Sequence, residues 1–201
     1  MHRQNVFVLA LLAIVVMAVL SVGYATERGP LGVISASVAR LTKSNHVSSQ
    51  LVSPDPLAPT APEFAPGEWL NSEPLTLKSL RGRVVLVEFW TFGCYNCRNT
   101  LPSIKAWDAR YREQGLTIVG VHSPEFEEEK NLENLRREVA SLGIHFPVVT
   151  DNDYATWKAY DIEAWPTVVV LDKQGRVRWT HLGEGAYEAT EQVIQKLLSE
   201  E

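Results

Sequence analysis

An α/β fold with a mixed central sheet flanked by helices is what this sequence predicts, and three observations carry the prediction. Strand-like and helix-like segments alternate along residues 63–201. Near the C-terminal end, Lys173-Gln174-Gly175 reads as a tight turn between two strand-like runs, which makes part of the sheet antiparallel. The stretch of about 140 residues is long enough for one domain with its own core.

Two segments precede that domain. Residues 1–25 read as a signal anchor or signal peptide: after His2 and Arg3, Val6 to Tyr24 runs without a charge. That run is close to the ~20 residues of a spanning helix and exceeds the ~7–15 of a secretory apolar region, which favours an uncleaved anchor. Gly23-Tyr24-Ala25 offers a small-residue cleavage site for the alternative, a secreted or periplasmic product. Arg3 at the short end keeps the N-terminus cytoplasmic and exports the rest. No cysteine follows the apolar run, so lipoprotein anchoring is excluded. Residues 26–62 read as a Pro/Ser-rich linker, with Pro54, Pro56, Pro59 and Pro62 favouring extended geometry over a packed core.

Within the domain, Leu75 to Leu77 and Arg83 to Trp90 read as strands, Asn96 to Gln114 as a helix and Leu116 to His122 as a strand. Glu127 to Leu142 reads as a helix whose acidic start, Glu127-Glu128-Glu129, complements the helix dipole as a solvated face. Phe146 to Val149 follows as a short strand, Tyr154 to Tyr160 as a short helix and Thr167 to Asp172 as a strand. Arg176 to His181 completes the hairpin, and Tyr187 to Leu198 closes the chain as a helix. A formal charge of −5 without basic clusters argues against nucleic acid and against a polybasic membrane patch.

The chemistry resides in Cys94-Tyr95-Asn96-Cys97, which holds the only two cysteines of the chain. They sit where a buried strand turns into a helix. The first turn of a helix favours negative charge, and a thiol attacks a disulfide only as thiolate, so Cys94 at the mouth of the turn is the candidate nucleophile. Cys97 lies one turn on, close enough to resolve a mixed disulfide on Cys94. Glu88 interrupts the apolar run Val84 to Trp90. A buried carboxyl without a partner holds its proton tightly, which suits a group exchanging protons with Cys97. A structural disulfide is a poor alternative, since so short a loop gains only roughly 2 kcal/mol. A zinc site would need two more ligands, with only His122, His145 and His181 in the globular part to help.

The segment Val87-Glu88-Phe89-Trp90-Thr91-Phe92-Gly93-Cys94-Tyr95-Asn96-Cys97-Arg98 resembles the thioredoxin active site, whose buried acid also lies six residues before the first cysteine. Pro102 matches the proline of that family's active-site helix, and Tyr160-Asp161-Ile162-Glu163-Ala164-Trp165-Pro166-Thr167 is similar to its cis-proline loop. The resemblance covers about residues 63 to 199 and is to the membrane-tethered TlpA/ResA-like thioredoxins, including the thioredoxin-like domain of DipZ-type proteins. It implies a thioredoxin-like fold with an N-terminal extension and one strand-helix insertion. It implies a protein-disulfide oxidoreductase without cofactor or metal, and a typical role in cytochrome c maturation. It also implies exported proteins with disulfides or thiols as partners, and a membrane electron donor of DsbD/CcdA type. Pro166 is then cis, with Trp165 and Pro166 binding substrate beside the dithiol, while Tyr95 and Asn96 contact a partner from between the cysteines. Gly93 replaces the family's usual tryptophan, and Tyr95-Asn96 its usual Gly-Pro or Pro-Pro pair, so the redox direction stays open.

Two other functions share these residues. Thr91-Phe92-Gly93-Cys94 fits the T-x-x-C core of a peroxiredoxin, although Val87 stands where that motif has proline. A copper metallochaperone on the same fold would use the two sulfurs for Cu(I), but such relatives space their cysteines as C-x-x-x-C. His122 ends a strand on the side where α/β folds place their sites and reads as a structural histidine in preference to a group flanking the site.

Overall fold

The structure, a computed structural model, describes residues 58–200; the expected anchor and most of the expected linker lie outside the described residues. Six strands form one sheet: β1 (Trp69–Leu70), β2 (Val84–Trp90), β3 (Leu116–His122), β4 (Val148–Thr150), β5 (Thr167–Leu171) and β6 (Val177–Leu182). Their spatial order is β1-β4-β3-β2-β5-β6. β2 pairs parallel with β3 and antiparallel with β5, so the mixed sheet expected from the C-terminal hairpin is what forms. Among the described residues four α-helices accompany it: α1 (Tyr95–Tyr111), α2 (Leu132–Ser141), α3 (Ala155–Ala159) and α4 (Tyr187–Ser199).

β2 is buried along its whole length, as expected of a central strand covered on both faces. Its residues alternate between two cores. Val84, Leu86 and Trp90 join Leu101 and Ile104 of α1, Leu135 of α2 and Ile194 of α4. Val85, Val87 and Phe89 join Ala61, Phe64, Leu77 and Leu80 from the segment ahead of β2, and Trp157 of α3 packs against them. Glu88 has the parity of Leu86 and Trp90, so it faces the core of α1 and Cys97.

Several elements differ from the sequence reading. Leu75–Leu77 is no strand: the chain turns there, and the Leu77 N–H is taken by the Glu63 carboxylate at 2.8 Å. The additional strand is β1, only two residues long and antiparallel to β4. The expected helix 127–142 is divided into a 3₁₀ turn, Glu127–Lys130, and α2. Asn131 divides it by acting as N-cap: its backbone is extended and its side chain accepts the Asn134 N–H at 3.0 Å. Pairing with the sheet begins before residue 63, since Pro59 O accepts the Val177 N–H at 2.9 Å and the Ala61 N–H reaches Gly175 O at 3.0 Å.

Candidate active site

The end of β2, the start of α1 and the loop before β5 meet at one end of the central strands. Phe89 of β2 is level with Thr167 of β5, so the Trp165-Pro166 peptide bond, which is cis, lies beside the point where β2 runs out into the cysteine turn. Cys94 and Trp165 both pack against the α1-side core.

Cys94 is the N-cap of α1, with φ −71° and ψ 120°. Its Sγ accepts the N–H of Cys97, the third helical residue, at 3.2 Å. A sulfur in this position takes up one of the donors that every helix start leaves without an intrahelical acceptor. Both cysteines are free thiols; Cys94 is partly exposed, whereas Cys97 is 0% exposed. Burial pushes the Cys97 thiol well above the ordinary range, and the side chains of Cys94 and Glu88 add to that rise. The two sulfurs are thus unlike: one is offered to a partner, the other is held protonated until a base takes its proton.

Glu88 is that candidate base. It is fully buried, neither carboxyl oxygen has a hydrogen-bond partner, and burial raises its pKa from 4.5 to about 8. Gly120 lies opposite it on β3, where a Cβ would come within 2.8 Å of Trp90 Nε1; the glycine leaves room for that indole. A carboxyl with a pKa near neutrality can both accept and return a proton at physiological pH.

Of the other residues singled out in the sequence, Tyr95 is 76% exposed and Asn96 is exposed, so both are available to a partner. Trp165 is half-buried, its indole N–H donating to Ser123 O at 2.9 Å and its ring tilted against Trp157 at 4.5 Å between centroids. Pro166 is buried, and its carbonyl accepts the Gly183 N–H at 2.7 Å. Trp90 is core, as its place in a covered strand predicts. Among the described residues no group of three or more His, Cys, Asp or Glu side chains comes together to hold a metal. None of the described helices is long and apolar enough to cross a membrane.

The sequence model of the AhpC/TSA family matches residues 58–180. The chain belongs to that family. DipZ of Mycobacterium tuberculosis is 39% identical over 173 residues, which are 84% of this chain and 24% of DipZ; the chain spans about a quarter of that relative's length. The thiol-disulfide oxidoreductase ResA of Halalkalibacterium halodurans is 29% identical, over 65% of this chain and 69% of ResA. The crystal structure of a thiol-disulfide isomerase from Corynebacterium glutamicum superposes with a TM-score of 0.64 at 30% identity, covering 70% of this chain and 98% of that one. The thioredoxin-like fold and the TlpA/ResA-like resemblance read from the two motifs are borne out. The relatives named as thiol-disulfide oxidoreductases and isomerases thus share a family and a fold with a chain that carries the dithiol arranged as described above.

This AhpC/TSA-family chain holds its cysteine turn by side chains outside the dithiol and Glu88, of which the sequence reading gave Arg98 and Glu129 no part in the site. Thr91 Oγ1 is 3.2 Å from Nε2 of His122, a buried ring that also stacks on Phe92 at 5.4 Å. Burial lowers the His122 pKa from 6.5 to about 4, so the ring is neutral at physiological pH. Arg98 donates its Nε–H to Phe92 O at 2.8 Å. Glu129, expected on a solvated face, is only 1% exposed: its Oε1 accepts the Gly93 N–H at 2.8 Å, and its Oε2 accepts the N–H groups of Glu125 at 2.6 Å and Phe126 at 3.0 Å. A side chain at position 93 would run into Glu129 Oε1, so the contact requires glycine there. The absence of a side chain at Gly93 was the one available sign of an intruding neighbour.

Proposed function

We propose that this chain is a membrane-tethered, extracytoplasmic thiol–disulfide oxidoreductase that reduces disulfides in exported proteins, with cytochrome c maturation as the role its TlpA/ResA resemblance brings. The observation that carries the chemistry is the asymmetry of the pair: a partly exposed N-cap sulfur at Cys94, a wholly buried thiol at Cys97, and the Glu88 carboxyl on the same face of the sheet. Support for the class comes from relatives whose names are those of thiol-disulfide oxidoreductases and isomerases. Support for the tether is the uncharged run Val6 to Tyr24 with Arg3 ahead of it.

The steps follow from the geometry. The Cys94 thiolate attacks one sulfur of a substrate disulfide; that S–S bond breaks, a mixed disulfide forms, and the departing substrate thiolate takes a proton. Glu88 in its carboxylate form accepts the Cys97 proton, and the Cys97 thiolate attacks Cys94 Sγ, releasing the second substrate thiol. Two electrons have passed to the substrate and the enzyme carries the Cys94–Cys97 disulfide. A membrane dithiol donor then returns it to the dithiol by the same exchange in reverse. Trp165 and the exposed Tyr95 and Asn96 flank the approach to Cys94 and are the candidate substrate contacts.

The peroxiredoxin alternative needs a free Thr91 hydroxyl to orient peroxide, whereas Thr91 is buried and engaged with His122. The test of the proposed function is Cys97→Ser in the full chain, which should accumulate covalent complexes with exported proteins through Cys94. Those complexes should disappear in the double variant with Cys94→Ser. A Cys97→Ser chain that traps no partner after mild oxidation would sink the reading.

A further inference from the structure

Dithiol exchange employs Cys94, Cys97 and Glu88 and gives no task to Glu129, although Glu129 is bonded to the residue next to the nucleophile. Buried acids are rare unless paired, and among the described residues Glu129 has no ion-pair partner. What compensates it is backbone. Two N–H groups on Oε2 close its own turn, at Glu125 and Phe126. The third bond, from Gly93 to Oε1, crosses 36 positions of sequence to reach the cysteine turn. Holding its own turn would need only the first two.

We propose that Glu129 is a positioning residue that acts through Gly93 to restrain the Cys94 thiolate, and so holds the Cys94–Cys97 pair toward the reducing end of its range. This deepens, and rests on, the dithiol-exchange reading. A thiolate at a helix start is stabilised by the backbone N–H donors around it. Cys94 Sγ receives the Cys97 N–H, and the N–H of Gly93, the residue before it, is committed to the Glu129 side chain. Glu129 thereby sets an acidic side chain without a cationic partner beside the turn. That placement opposes negative charge on Cys94. The reduced form gains less from a thiolate, and the disulfide is correspondingly favoured at equilibrium, which defines a more reducing couple. Gly93 belongs to the same device, because any Cβ there would drive Oε1 away.

Two readouts on the full chain test this: the alkylation rate of reduced Cys94 by iodoacetamide at pH 7, and the dithiol–disulfide equilibrium in glutathione buffers. Glu129→Gln keeps the size of the side chain and removes its charge. Favouring the thiolate should make alkylation up to about tenfold faster where Cys94 is mostly protonated at pH 7, or shift the equilibrium up to about tenfold toward the dithiol, ~30 mV in the oxidising direction, where it is already ionised. Gly93→Ala, which retains the acid but displaces it, should move the same readout the same way. The double variant should add little to either single one, as expected of two residues acting on one another. A purely structural clamp would lower the unfolding midpoint and leave the potential of the folded protein alone. Alkylation and potential both within twofold of wild type in both single variants, or slower alkylation in both, overturns the proposal. A wild-type chain that exchanges no disulfide at all would fail the oxidoreductase reading itself; normal wild-type exchange with both readouts unmoved in the two single variants fails only this one.

Discussion

Glu88 and Glu129 are both buried acids close to one dithiol, and the fold treats them in opposite ways. Glu88 lies in the middle of a strand, where every backbone N–H is spent on the sheet ladder, so neither of its oxygens finds a donor. Glu129 sits in a tight turn and collects three N–H groups, two from that turn and one from Gly93 of the cysteine turn. Burial alone therefore does not decide what a carboxyl does. Where no donor reaches, burial pushes the pKa to about 8 and produces a proton exchanger. Where donors converge, the carboxylate becomes a fixed acceptor that ties one loop to another.

The largest effect that would break this contrast is at Glu88. Its pKa is raised in the folded chain, from 4.5 to about 8. Its contribution to stability is therefore fully present below pH 4.5 and is lost as the pH climbs through about 8, because the folded protein must then bury a charge. Glu88→Gln should match wild type in urea unfolding at pH 4 and exceed it at pH 9 by roughly 4 kcal/mol. It should also slow resolution of the mixed disulfide at least about tenfold, since Cys97 loses its proton acceptor. Equal stabilities at pH 9 would mean that Glu88 finds a donor after all.

A smaller effect of opposite sign is expected at the second acid. Glu129→Ala strands the N–H groups of Gly93, Glu125 and Phe126, and partial access of water to the turn limits the damage. A loss of about 2–3 kcal/mol at pH 7 follows from the cost of unpaired buried donors. The same urea unfolding experiment measures it. Should Glu129→Ala stabilise the chain, as Glu88→Gln does at high pH, the two acids would be of one kind and the contrast would fall.

The contrast also shows what a sequence makes visible. Glu88 was legible because it is the one charge in an apolar strand, and periodicity exposes an intruder. The Cys94/Cys97 spacing was legible for the same reason: local geometry on a helix follows from separation along the chain. β3 came out with the bounds the pattern gave, 116–122, since a buried parallel strand is a continuous apolar run. Glu129 was not legible. It stands in a run of three acids, and which of them turns inward is set by a 3₁₀ turn that Asn131 ends, a tertiary outcome without a local signature. Leu75-Thr76-Leu77 imitates a strand by alternation, yet Leu77 and Leu80 are side chains of a turn that plug the second core. Two-residue β1 is too short to leave a pattern at all.

The smallest effect concerns the other anchor of the cysteine turn, the contact between Thr91 Oγ1 and His122 Nε2. It lies between the two acids in kind: it is buried as Glu88 is, but one nitrogen of the ring has a partner while Nδ1 has none. Burial is the larger influence on His122, lowering its pKa to about 4, and the charge of Glu129 works against it. A histidine kept neutral in this way supports folding above its ordinary pKa of 6.5 and costs stability as the pH falls toward 4, the reverse of the Glu88 dependence. Thr91→Val keeps the shape and removes the hydroxyl. It should cost about 1 kcal/mol in urea unfolding at pH 7, the net worth of one neutral hydrogen bond, and the cost should be the same at pH 9, where the ring is equally neutral. A cost that grew between pH 7 and 9 would tie Thr91 to the titration of Glu88 instead. The turn before Cys94 would then be held by one electrostatic network, in which the two acids could no longer be treated as separate.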